Sequence, residues 1–159
     1  MTGRAQFNAE DWALIVGGPA QAALRMVLAA PGGTLREMLS IGRAYAEERE
    51  NAGNSELLDA IVSEQPSIEP DRYGSADALT VETLGRLREA VAILERAGTA
   101  IEVADYKRFT YALAERVART HKEGGFLGIA GEEISEYERR ALEEIASALS
   151  YDRAAGGAG

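Results

Sequence analysis

The chain has no cysteine, a single histidine and ten aromatic residues in 159. Without cysteine there is no disulfide, no thiol nucleophile and no zinc–thiolate site. With one histidine, a bundle-type di-iron centre is excluded, because it needs a Glu-x-x-His from each of two helices. His121 has Ala118 three residues before it, so half of that motif is missing as well. Few aromatics and an apolar fraction rich in Ala and Leu disfavour sheet, since strands draw on Val, Ile, Thr and aromatic residues. Basic charge is in the minority. There are 17 Lys and Arg against 26 Asp and Glu, a net charge of −9. A phosphate backbone repels such a chain unless its cations gather on one face, and here they alternate with Glu along every charged segment. Nucleic acid is therefore not an expected partner, and neither is an anionic membrane surface. No apolar run of about 18 residues exists to span a bilayer. Residues 1–7 lack the apolar core of a secretory signal, which makes the cytoplasm the expected compartment.

What is present is helical punctuation. A length of 159 residues suits one domain, and folding at that size buries roughly 70% of the extended chain's surface. Asn8 followed by Glu10 and Asp11 predicts a helix start, with a capping side chain and acids where the helix dipole favours them. Gly17-Gly18-Pro19 predicts a stop and a restart, Pro19 taking the first helical position of a second helix. Three capping boxes follow: Thr34 with Glu37, Thr99 with Glu102 and Ser135 with Glu138. In each, the hydroxyl accepts from the amide three residues on and the Glu reaches back. A shorter helix carries Leu57, Leu58, Ile61 and Val62. Residues 66–76 read as an irregular linker inside the domain, and Leu84, Leu87, Val91 and Leu94 mark another helix. Thr99 opens the longest helix, with Ile101, Phe109, Leu113 and Val117 expected inward. The last helix is expected to bury Ala141, Leu142, Ile145 and Leu149. Together these predict an all-α, single-domain bundle of about seven helices over residues 1–153, with a small-residue, disordered tail at 154–159.

Two of the capped starts rhyme. Thr34 follows the break Ala29-Ala30-Pro31-Gly32-Gly33, and Ser135 follows Gly124 to Ile134; each leads into an apolar helix. Either these are two unrelated capped helices or one helix–loop–helix is used twice. The stretch Gly128-Ile129-Ala130-Gly131-Glu132-Glu133-Ile134-Ser135-Glu136-Tyr137-Glu138 resembles the loop–helix signature of TerB-like proteins, the tellurite-resistance family. Lys122 to Gly128 also resembles a group of uncharacterised bacterial proteins near that fold. The resemblance covers about the last 40 residues and, loosely, Ala29 to Tyr45. It implies an all-helical bundle with a repeated element and acidic loop residues able to bind metal. The chain departs from the pattern at Gly131-Glu132, where the family has Asp before Gly, and at Pro31-Gly32-Gly33, which has no acid.

Candidate chemistry is sparse. Glu132, Glu133, Glu136 and Glu138 cluster near one loop but do not match an EF-hand, and a loose cluster of this kind binds calcium at about millimolar or weaker. His121 stands at the basic end of a helix, where it complements the dipole. Glu102 and Asp105 are two carboxylates on one helix face. No cofactor is implied. In the Gly-rich loop, Phe126, Leu127 and Ile129 either fill the core or dock on a partner, and they are the candidate interaction residues. Three functions stay open: a non-enzymatic TerB-like protein-interaction module with weak divalent-cation binding, a self-associating structural or cargo-type subunit, and a small-ligand binder or enzyme with a pocket between helices.

Overall fold

The computed structural model describes residues 3–29, 35–64, 76–123 and 135–152. Among the described residues, six α-helices form a single bundle and there is no strand. They are α1 (Ala9–Ala29), α2 (Leu35–Asn51), α3 (Glu56–Ser63), α4 (Ala76–Ala97), α5 (Ala100–Glu123) and α6 (Glu136–Leu149), preceded by a 3₁₀ turn at Arg4–Gln6. The helix α1 runs through the middle and packs against every other helix, most extensively α4 and α5.

Most helix boundaries follow from local chemistry. Asn8 Oδ1 accepts from the Asp11 amide at 2.8 Å and opens α1. Ser55 caps α3 through the Leu58 amide. The turn from α2 to α3 uses Gly53 at φ +78°, a conformation that favours glycine. Arg49 clasps that turn, donating to the Gly53 and Ser55 carbonyls and pairing with Asp59. Thr99 and Ser135 both form complete capping boxes, with Glu102 and Glu138 accepting from their backbone amides at 2.9 Å. Thr34, the cap expected for α2, lies outside the described residues, so the rhyme between the two capped starts stands as a sequence pattern.

The all-α bundle is as expected; among the described residues it has six helices where about seven were expected, and the difference lies at one place. Gly17-Gly18-Pro19 neither stops nor restarts a helix, because α1 continues through it with Pro19 in its interior. Proline lacks an N–H, so the Ile15 carbonyl, four residues back, loses its intrahelical donor. The Tyr106 hydroxyl of α5 replaces that donor, 2.7 Å from the Ile15 oxygen and fully buried. Gly18 makes room for it. A Cβ at position 18 would overlap the Tyr106 hydroxyl and sit 3.2 Å from Cζ and 3.4 Å from Leu87 Cδ1. Sequence and packing thus cooperate: the residue that weakens α1 lies beside the one that lets a distant side chain repair it.

The core is otherwise the expected stripes. Trp12, Ile15, Val16, Leu24 and Val27 of α1 are buried. So are Leu87, Val91 and Leu94 of α4, Phe109, Leu113 and Val117 of α5, and Ala141, Leu142, Ile145 and Leu149 of α6. Each large side chain contributes about 1.5–3 kcal/mol. Ile101, expected inward, is exposed. At about 100° per residue it falls on the far side of α5 from Tyr106, Leu113 and Val117. On α2, Ile41, Ala44 and Tyr45 are buried. Tyr45 meets Phe109 edge-on at 5.9 Å. Arg116 of α5 forks between Glu47 and Glu48 of α2 at 2.9 and 3.1 Å, fixing the two helices side by side.

Candidate functional site

A surface groove of about 270 Å³ runs between α4 and α6. Leu84 and Arg88 of α4 line one wall, and Arg140, Glu143, Glu144 and Ser147 of α6 line the other. The spacing is helical. Leu84 and Arg88 are four apart, while Glu143, Glu144 and Ser147 follow Arg140 by three, four and seven, so each set shares a face. The helices are held together below by apolar packing, and Leu84 sits partly buried against that core.

The charges in the groove are unevenly matched. Glu144 accepts from Arg25 Nη2 of α1 at 3.0 Å, and the Arg25 side chain is only 14% exposed. Its Nε is buried with no hydrogen-bond acceptor among the described residues. Arg88, Arg140 and Glu143 are exposed, and none has an ion pair among the described residues. Their neighbours pair elsewhere: Arg86 with Glu82 at 2.7 Å and Arg139 with Glu136 at 3.2 Å. Surface pairs of that kind contribute roughly 0–1 kcal/mol. Their relevance here is that they leave two guanidiniums uncommitted along one groove.

The residues singled out from sequence have other placements. Phe126, Leu127 and Ile129 lie outside the described residues, as do Glu132 and Glu133. Glu136 pairs with Arg139, and buried Glu138 closes the Ser135 cap. Glu102 serves the Thr99 cap, and Asp105 pairs with Arg108 at 3.5 Å, so this carboxylate pair serves helix structure. His121 is in the last turn of α5, and its side chain is outside the description. Among the described residues, no three His, Asp or Glu side chains come together as a metal-ion cage.

Deeper in the bundle lie buried hydroxyls. Tyr45 Oη and Thr110 Oγ1 have no hydrogen-bond partner among the described residues, while Tyr106 Oη serves the Ile15 carbonyl. Burial pushes the pKa of both tyrosines well above the ordinary tyrosine range, and for Tyr106 the nearby Tyr45 adds to it. Both are therefore neutral hydroxyls at physiological pH, able to donate a hydrogen bond and unsuited to removing a proton.

Arg88 and Arg140 were not among the residues picked out from sequence. Each stands in a stretch of alternating charge that reads as an ordinary solvated helix face. Only the adjacency of α4 and α6 makes them one feature. No family model, curated protein or solved structure matches the chain. No described helix is long and apolar enough to cross a membrane.

Proposed function

We propose that this chain is a non-enzymatic helical module that works by binding another protein, with the groove between α4 and α6 as its docking face. The observation that carries the reading is the pair of uncommitted guanidiniums, Arg88 and Arg140, on facing walls of an open groove. An open trench on two rigid helices suits an extended or helical segment of a partner better than an enclosed small molecule. The TerB-like pattern around Ser135 belongs to the same reading at the level of fold. A cation at the start of α6 draws no support from Glu136 and Glu138, because both carboxylates have protein partners.

Affinity purification from host cells tests the reading, using the intact chain and a Ser147→Trp variant as paired baits. Ser147 is exposed in the groove, so the indole obstructs docking without entering the core. The expected result is a specific protein recovered by the intact chain and lost with the variant. Identical recoveries from both baits overturn the assignment of the groove.

A further inference from the structure

Building on the reading of the α4/α6 groove as a docking face, we infer that its occupant is an acidic peptide segment. Its Asp or Glu carboxylates meet Arg88 and Arg140, and an apolar side chain rests on Leu84.

Charge is the first argument. Glu144 is already neutralised by Arg25 at 3.0 Å, so two guanidiniums stand against the single uncommitted carboxylate of Glu143. This is a locally positive strip on a chain of net charge −9. Electrostatic complementarity at such a strip selects anionic groups at short range, while the net charge opposes non-specific attachment of acidic chains elsewhere.

The kind of cation is the second argument. Arginine presents a planar fork of donors that matches a carboxylate bidentately. Arg88 and Arg140 come from different helices, so they can grip two carboxylates of one segment laid along the groove.

The third argument is the apolar floor. Leu84 is partly buried against the core yet lines the groove, giving a place for one aliphatic or aromatic side chain between the charged contacts. A free inorganic anion would use the guanidiniums but leave Leu84 without a role.

The test is selection from a random peptide display library against the full chain, followed by fluorescence polarisation with one enriched, labelled peptide. Enriched sequences should carry two or more Asp or Glu residues around an apolar residue. Binding should weaken by about tenfold in Arg88→Glu and in Arg140→Glu, and should weaken further as salt is raised. Arg43→Glu, at an exposed position of α2 away from the groove, should bind like the parent. Circular dichroism confirms that the variants remain folded, as expected for exposed positions. Three outcomes overturn the inference: enriched peptides that are basic or purely apolar, acidic peptides indifferent to both Arg88→Glu and Arg140→Glu, or competition by inorganic phosphate at the peptide's own concentration. None of these overturns the interaction-module reading, which is decided separately by the Ser147→Trp comparison.

Discussion

Gly17-Gly18-Pro19 and Ala97-Gly98-Thr99 look alike as punctuation, yet the chain runs straight through the first and turns at the second. At Gly98 the groups that close the turn are satisfied by near neighbours. The Gly98 amide donates to the Leu94 carbonyl at 2.7 Å, and Thr99 and Glu102 close their box at 2.9 and 3.2 Å. At Pro19 the stranded group is the Ile15 carbonyl, and its donor is Tyr106, 91 residues away. A local reading detects what a break removes from the helix. It does not detect a remedy that arrives through folding, so it overestimates the number of helices wherever tertiary structure supplies the missing donor.

The sharpest way to break this comparison is Gly18→Ala. The new methyl would overlap the Tyr106 hydroxyl, which the Ile15 carbonyl holds in place, with Leu87 closing the remaining side. Overpacking and the lost buried hydrogen bond together are expected to cost about 3 kcal/mol, read as a lowered midpoint in urea unfolding. In a Tyr106→Phe background the extra cost of Gly18→Ala should fall below about 1 kcal/mol, because the nearest remaining atom is a ring carbon at 3.2 Å. An undiminished cost would mean that Gly18 does not exist to admit the hydroxyl.

Alkali should act on the joint at Pro19 and not on the cap at Thr99. Tyr106 and Tyr45 both have pKa values raised by burial in the folded protein, against about 10 in the unfolded chain. Above that pH the unfolded state releases protons that the folded state retains, so stability is fully present below about pH 10 and falls as pH rises. Each tyrosine accounts for about 1.4 kcal/mol lost by one unit above that pH. Urea unfolding at a series of pH values should show the decline, and Tyr106→Phe should make it shallower. An unchanged slope in that variant would show that Tyr106 ionises as readily folded as unfolded.

Tyr106→Phe on its own should cost about 1–2 kcal/mol, the expense of a buried carbonyl left without a donor. Pro19→Ala supplies an N–H to the same carbonyl from within α1. The penalty of Tyr106→Phe should therefore shrink when position 19 is alanine. If the two substitutions simply add, the Tyr106 hydrogen bond is not compensating for the proline.

Legibility along the chain divides in the same way. Asn8, Thr99 and Ser135 are readable as helix starts because their partners lie three residues on. The inward stripes are readable because burial repeats with the helical period, and Ile101 is misplaced only because a first-turn residue cannot be assigned before the buried arc is known. The candidate site is not readable. Arg88 and Arg140 are 52 positions apart on faces that look solvated, and the groove exists only because α4 and α6 pack side by side. The stretch 126–129 draws attention by its composition, whereas the groove is defined by neighbours that composition cannot show.

The smallest expected effect tests the local half of the comparison. Thr99→Ala removes the oxygen that accepts from the Glu102 amide, and with it the reason for the Glu102 carboxylate to fold back on the turn. Loss of such a cap costs about 1 kcal/mol. Ser135→Ala should cost a similar amount, since its box has the same two hydrogen bonds, at 2.9 and 3.2 Å. Because all the atoms involved lie within one helical turn, either change should add to Gly18→Ala or Tyr106→Phe without coupling. A double-mutant cycle between Thr99→Ala and Tyr106→Phe checks this directly. Both residues are on or beside α5, so a coupling above roughly 0.5 kcal/mol would show that the start of that helix and the repair of α1 are one cooperative unit. Strict additivity would leave the turn at Gly98 as local as its hydrogen bonds and the passage through Pro19 as the point where the fold depends on a distant residue.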